Sequence, residues 1–311
     1  VKKDFIDILD LDEKEMFELF DLAKKLKDQP VQSLWIGRTL GLLFTKSSTR
    51  TRVSFEVGAF QLGGHAIYLD TQALQIARGE PLSDTAKVLS RYLDAIVIRT
   101  YQHQELIEFA ENASIPVING LTDDSHPCQI ICDLFTIFEK RSRLKDLKVV
   151  YIGDGANNMA HTWILGAAMM GMKLVIAAPP KYWPNPEIIR RAVKLSALGQ
   201  SFFEVTQDVA SAVREADVLY TDVWVSMGQE SENEKRLKDL KGYQINEALL
   251  KSASKDVLVM HCLPAHRGEE ISAEVIDGTK SIVFDQAENR LHTQKALLLM
   301  LTKNGIVSKK N

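Results

Sequence analysis

RTLGLLFTKSSTRTR, residues 38–52, runs from an apolar stretch into a loop of hydroxyls and cations and then toward a second apolar stretch. The run 38–45 is short, aliphatic and glycine-punctuated, which predicts a buried strand. A helix is expected from Thr51, so Lys46, Ser47, Ser48, Thr49, Arg50, Thr51 and Arg52 would occupy a strand-to-helix turn. Free N–H groups of the helix start, with hydroxyls and guanidinium groups beside them, make such a turn an anion cradle suited to phosphate. It is not a Walker loop, which needs a glycine directly before the lysine, where Thr45 stands. An ordinary turn with capping hydroxyls would account for two of these residues but not for the run.

The same alternation extends outward. Strands are predicted at 65–70, 95–100 and 115–120, with helices from Ser83 and over 104–113 between them. It restarts with strands at 147–153, 173–179, 202–206, 217–222, 256–262 and 281–285. A βα series of this kind implies parallel sheets covered by helices on both faces. The expected fold is therefore α/β with two doubly wound parallel-sheet domains, 1–135 and 136–287. They are joined by helices, one of them over 127–143, and a C-terminal helix from Glu288 to Lys303 packs back on the first domain. Near the start, Asp12 and Glu15 form a capping pair ahead of a helix whose Met16, Phe20, Ala23 and Leu26 share one face.

Bulk properties narrow the function. The chain has 311 residues, 41 acidic and 38 basic side chains and a formal charge of −3, which provides no global positive field for nucleic acid or anionic membrane. Its longest apolar stretch, Trp163 to Met172 with Leu174 to Pro180 beyond Lys173, is shorter than the roughly 20 residues of a bilayer span. The N-terminal residues show neither a signal-peptide core nor an Arg-rich transit pattern. Cys128, Cys132 and Cys262 are too few for a disulfide framework or a structural zinc cluster. A cytoplasmic protein with reduced thiols and no metal is expected.

Four further segments sit where strands end, the place at which open α/β sheets collect ligands. In YIGDGANN (151–158), Gly153 and Gly155 match the start of a dinucleotide fingerprint, but Asn158 replaces the third glycine and the following strand ends in Ala177, Ala178 and Pro179 rather than an acid. Two adjacent asparagines at a helix start suit a small carboxylate, or simply cap the helix. DVWVSMGQE (222–230) offers an acid fit for an ammonium group. HCLPAHRGEE (261–270) places a thiol that His261, pointing to the opposite face of the strand, cannot serve, leaving His266 as the alternative. In SHPCQ (125–129), His126 and Gln129 are three apart at a helix start, and Arg99 ends a strand toward the same rim.

In order along the chain, S-T-R-T-R, H-P-x-Q, D-x-x-x-S-M-G and H-C-L-P resemble the aspartate/ornithine carbamoyltransferase family, and the intact D-x-x-x-S-M-G resembles its ornithine branch. The resemblance runs from residue 44 to ENR at 288–290. It implies transfer of the carbamoyl group of carbamoyl phosphate to the δ-amine of L-ornithine, giving citrulline and phosphate, in arginine biosynthesis or in reverse in arginine breakdown. Ser48, Thr49, Arg50 and Thr51 would hold the phosphate. Arg99, His126 and Thr51 would polarise the carbamoyl oxygen, Gln129 would meet the carbamoyl amide, and Arg290 would close on the carbonyl side. Asn158, or Asn157 if the turn is offset by one, and the Met227 backbone would take the ornithine carboxylate, with Asp222 and Ser226 on its α-amino group. Cys262 and the Leu263 carbonyl would lie beside the δ-amine. Gln75 is similar to a family residue that reaches a neighbouring subunit's site, which implies a homotrimer. No metal or organic cofactor is implied. Competing expectations are another amine acceptor, such as putrescine or N-acylated ornithine, a nucleotide-dependent oxidoreductase, and a binding protein of the same fold.

Overall fold

The structure, a computed structural model, describes residues 2–196, 202–226, 228 and 230–302. The chain divides into two compact units, Val1–Phe135 with Glu288–Asn311, and Thr136–Ala287.

In the first unit, α1 (Glu13–Asp28) opens on the expected capping box, with Glu15 N–H on Asp12 at 2.8 Å and Asp12 N–H on Glu15 at 3.1 Å. Then come β1 (Thr39–Phe44), α2 (Thr49–Gln61), β2 (His65–Asp70), α3 (Leu82–Tyr92), β3 (Ala95–Arg99), α4 (His103–Asn112), β4 (Val117–Leu121) and α5 (Pro127–Arg141). The strands form a parallel sheet in the order β2-β1-β3-β4. The central strands β1 and β3 are almost wholly buried, as their unbroken aliphatic runs require, while the edge strand β2 alternates between exposed and half-buried residues.

The second unit holds β5 (Lys148–Ile152), α6 (Asn158–Met169), β6 (Lys173–Ala177), α7 (Pro186–Ser196), β7 (Phe202–Thr206), α8 (Val209–Ala212), β8 (Val218–Thr221), α9 (Asn233–Leu240), α10 (Glu247–Leu250), β9 (Leu258–His261) and α11 (Ala273–Ile276). Its parallel sheet has the order β7-β6-β5-β8-β9. Both sheets reverse their winding direction beside their first strand, between β1 and β3 and between β5 and β8. The residues described below lie at these two switch points, each within its own unit.

One predicted strand does not form. At 281–285 the chain begins to pair, with Val259 N–H on Lys280 O at 2.9 Å and Ile282 N–H on Val259 O at 3.0 Å, and then winds into α12 (Val283–Thr302). A three-residue apolar run fits a strand or the first turn of a buried helix equally well, and here Gln286 N–H already bonds Ile282 O at 2.9 Å. α12 thus starts five residues before the expected Glu288. From Glu288 onward it belongs to the first unit, where Lys27 Nζ reaches Asn289 at 2.8 Å and the Trp35 indole reaches Thr302 at 3.0 Å. The buried Lys295 ammonium there meets the carbonyls of Leu26 and Pro30 and the Gln61 amide at 2.8–3.1 Å. Among the described residues no helix is long and apolar enough to cross a membrane.

Candidate active site

At the first switch point, Ser48 is the N-cap of α2, its hydroxyl accepting from Thr51 N–H at 3.3 Å. The capping function foreseen for one hydroxyl is therefore real, and loss of such a cap costs about 1 kcal/mol. It leaves the other N–H groups of the first turn as donors without an intrahelical acceptor. Thr49 is exposed, Arg50 half-buried and Thr51 buried. The flanking cations have other occupations. Lys46 is buried in an ion pair with Asp123 and over the Tyr101 ring at 4.2 Å, and Arg52 bonds Glu56 at 2.9 Å and stacks on Tyr68.

Strand register sets Arg99 level with Phe44, the last residue of β1, so Arg99 lies beside the start of the turn, and Thr45 N–H bonds the Arg99 carbonyl at 2.8 Å. Arg290, 3% exposed, comes from α12: Nη2 donates to the Thr51 hydroxyl at 3.1 Å, and Nη1 donates to Gln129 Oε1. With its amide oxygen toward the guanidinium, Gln294 accepts from Arg290 Nε at 3.0 Å and Nη2 at 2.8 Å. His126 is buried beside them. Burial first, then the charges of Arg290, Arg99 and Arg50, hold its pKa well below 6.5, so the imidazole is neutral near pH 7. Residues from four separate segments thus converge on one cationic cluster. Gln75, exposed on the turn Gln75–Arg78, stays outside that buried cluster. A cavity of about 240 Å³ lined by Thr71, Ile76, Ile98 and Phe109 shares none of the cluster's residues.

At the second switch point the chemistry is reversed. β8 and β9 pair in parallel with Thr221 opposite His261, which makes the next residues, Asp222 and Cys262, neighbours. The Cys262 thiol donates to Asp222 Oδ1 at 2.9 Å, and Val223 N–H reaches the same oxygen at 2.8 Å. Burial raises the Asp222 pKa above 3.8, partly offset by the hydrogen bonds from the thiol and the amide. Both His261 ring nitrogens are engaged elsewhere, Nδ1 accepting Leu263 N–H at 2.8 Å and Nε2 facing Glu270 at 3.0 Å. Asp222, His261 and Cys262 place ligand-type atoms within 4.8 Å of one another, but those two engagements leave the imidazole no lone pair for a metal. His266 faces Glu269 instead of the thiol, at 3.6 Å. Leu263 adopts φ +58°, which turns the chain sharply after Cys262.

In the turn after β5, Asn157 is the N-cap of α6, its Oδ1 accepting from Ala160 N–H at 2.9 Å while its amide nitrogen reaches the Tyr151 hydroxyl at 3.0 Å and Asp222 at 3.4 Å. Asn158 is the first helical residue and is half-buried. Gly155 serves packing, since a Cβ there would sit 2.7 Å from Ile176 and 2.8 Å from the Tyr182 carbonyl. Ser226 is half-buried; Met227 lies outside the described residues.

Sequence reasoning missed the residues that hold these turns. Arg236 on α9, 5% exposed, donates through Nε to the Trp224 carbonyl at 2.7 Å and pairs with buried Asp154, tying the turn after β5 to the loop after β8. Tyr151 and Asp133 were missed too. Only Asp133 carried a signal, its position four residues after Gln129 on a helix.

Comparison with known proteins places this geometry. Residues 3–139 match the model of the aspartate/ornithine carbamoyltransferase carbamoyl-P binding domain, and residues 145–301 match that of the Asp/Orn binding domain. The chain is 54% identical to the ornithine carbamoyltransferase of Oceanobacillus iheyensis over 96% of its own length and 94% of the relative's, and 52% identical to that of Methanoculleus marisnigri over 99% of each. Among solved structures, the ornithine carbamoyltransferase from Pyrococcus furiosus superposes with a TM-score of 0.93 at 47% identity, covering 97% of this chain and 99% of that one. The anabolic enzyme from Campylobacter jejuni superposes with a TM-score of 0.92 at 38% identity, covering 97% and 99%.

Proposed function

The chain belongs to the aspartate/ornithine carbamoyltransferase family, and from that premise we propose that it transfers the carbamoyl group of carbamoyl phosphate to the δ-amine of L-ornithine, forming L-citrulline and phosphate. The observation that carries the choice of acceptor is the buried Asp222 carboxylate, aligned by Cys262 and Val223 at the end of β8. An acid so placed recognises the α-ammonium that N-acylated ornithine lacks, whereas putrescine keeps an ammonium at that position and is set apart by the missing carboxylate that Asn158 would meet.

In this reading the phosphate lies on the first turn of α2, against Ser48, Thr49, Arg50 and Thr51. Arg99, neutral His126 and Arg290 face the carbamoyl oxygen, where negative charge grows as the amine adds, and Gln129 takes the carbamoyl –NH2. The ornithine carboxylate is met by Asn158 and the Met227 backbone, and the α-ammonium by Asp222 and Ser226. The δ-amine, beside Cys262 and the Leu263 carbonyl, loses a proton and forms the N–C bond. The C–O bond to phosphate then breaks as the leaving oxygen takes the proton that the attacking nitrogen still carries, and the resulting dianion stays in the cradle.

Similarity to the Campylobacter jejuni enzyme favours the direction of arginine synthesis. The cysteines, all free thiols, suit a cytoplasmic setting. A homotrimer is the assembly we assign. Val53, Val57 and Phe60 form an exposed apolar strip on α2, and Ile67 of the edge strand β2 is exposed as well, surfaces that suit a second copy of the chain; Gln75 is exposed in the same unit.

The deciding experiment measures phosphate and carbamoylated product from carbamoyl phosphate with L-ornithine, putrescine, N-acetyl-L-ornithine and L-aspartate. Strong preference for ornithine is expected. Preference for N-acetyl-L-ornithine discards the Asp222 assignment, preference for putrescine discards the carboxylate contacts, and both keep the cradle. Tight binding of carbamoyl phosphate without turnover of any amine would make the chain a binding protein.

A further inference from the structure

Gln129 and Asp133 stand one turn apart on α5 and are almost inaccessible, 2% and 0% exposed. Gln129 Nε2 donates to Asp133 Oδ1 at 2.8 Å, while Gln129 Oε1 accepts from Arg290. The two ends of a carboxamide have nearly the same shape and opposite polarity, so in a buried site the neighbours decide which end faces where. A carboxylate accepts and does not donate, so Asp133 holds the nitrogen, and the oxygen is presented on the Arg290 side.

We infer that Asp133 is a positioning residue that fixes the Gln129 amide with its oxygen toward the transferred group, and so makes the site selective for an acyl phosphate bearing –NH2 over one bearing –CH3. This rests on the reading that Gln129 meets the carbamoyl amide. In that reading Arg290 serves the carbonyl, so its claim on the Gln129 oxygen passes to the substrate, whereas the hold of Asp133 on the nitrogen persists. With the oxygen inward, a carbamoyl N–H finds an acceptor. A methyl group in the same place leaves that buried oxygen without a hydrogen bond, which is how a polar site rejects an isostere lacking the donor.

The test is the ratio of the inhibition constant of acetyl phosphate to the KM of carbamoyl phosphate, with L-ornithine saturating. Asp133→Asn offers Gln129 either an acceptor or a donor, so the amide is free to turn. The ratio is expected to drop about tenfold, mainly through a higher KM for carbamoyl phosphate. Combining Gln129→Glu with Asp133→Asn restores the polarity, because the new amide donates to the new carboxylate and an acceptor again faces inward; the ratio should rise back toward the wild-type value. A merely structural role for Asp133 would not produce that recovery. If Asp133→Asn does not accumulate as folded protein, the double variant carries the test, and a lost preference there overturns the inference. An unchanged ratio in Asp133→Asn, with preference lost in Gln129→Ala, overturns the role of Asp133 alone. An unchanged ratio in Gln129→Ala overturns the reading of Gln129 itself.

Discussion

The two switch points of this chain occupy equivalent places in two similar sheets and carry opposite electrostatics. After β1 and β3, Arg50, Arg99 and Arg290 gather round a neutral His126 at a helix N-terminus. After β5, β8 and β9, one buried carboxylate is surrounded by a thiol, an asparagine and a tyrosine. A doubly wound sheet fixes where ligands collect but not which ones; the side chains at the strand ends decide that. Here the first set carries charge suited to an anion and the second charge suited to a cation.

The largest blow to this contrast should come from Arg50→Ala. It removes charge from the proposed phosphate cradle, so kcat/KM for carbamoyl phosphate should fall about 10³-fold, with a raised KM. Near-normal steady-state kinetics would break the assignment of the cradle.

Asp222→Ala should lower kcat/KM for ornithine about 10²-fold while leaving carbamoyl phosphate binding, measured by calorimetry, nearly unchanged. The carboxylate must be ionised to hold an ammonium. Because burial raises its pKa above 3.8, ornithine kcat/KM should decline on acidification at a higher pH than a free carboxyl would dictate. Asp222→Asn should remove that limb from the pH profile. Equal losses for both substrates would erase the distinction between the two clusters.

The thiols give a smaller effect that reads the same contrast. Burial pushes the Cys128 pKa up to about 12, whereas Cys262 is half-buried beside Asp222. Iodoacetamide should therefore label Cys262 at least about tenfold faster than Cys128, as followed by peptide mass spectrometry, and ornithine should slow that labelling. Preferential labelling of Cys128 would contradict the packing of α5.

The smallest effect concerns stability. The pKa of His126 is lower folded than unfolded, so below 6.5 the unfolded chain binds more protons and stability falls as the pH is lowered, by at most about 1.4 kcal/mol per pH unit from this group. His126→Gln should flatten the dependence of Tm on pH between about 5 and 6.5. An unchanged slope would place the source of any acid sensitivity elsewhere.

Much of this was legible in the residue string. Unbroken aliphatic runs at 38–45 and 95–100 announced buried parallel strands, and the hydroxyls and arginines of 46–52 announced an anion site. The stretch 281–285 was misread because three apolar residues fit a strand and a helix start alike. Asn158 was preferred to Asn157 by its place next to the helix, a choice that depends on which of the two the turn buries. Arg236 and Asp154, 82 positions apart, have no periodic relation that a sequence pattern could expose.

Local preference and burial pattern are properties of neighbouring residues, so the sequence by itself determined every strand that forms, most of the helices, the capped start of α1 and the kinds of side chain at each strand end. Contacts between distant segments depend on strand order and register, which no short stretch encodes. The tertiary structure alone decided that Thr221 sits opposite His261 and so brings Asp222 to Cys262, that a C-terminal helix delivers Arg290 to Thr51 and Gln129, and that His126 is neutral among three arginines.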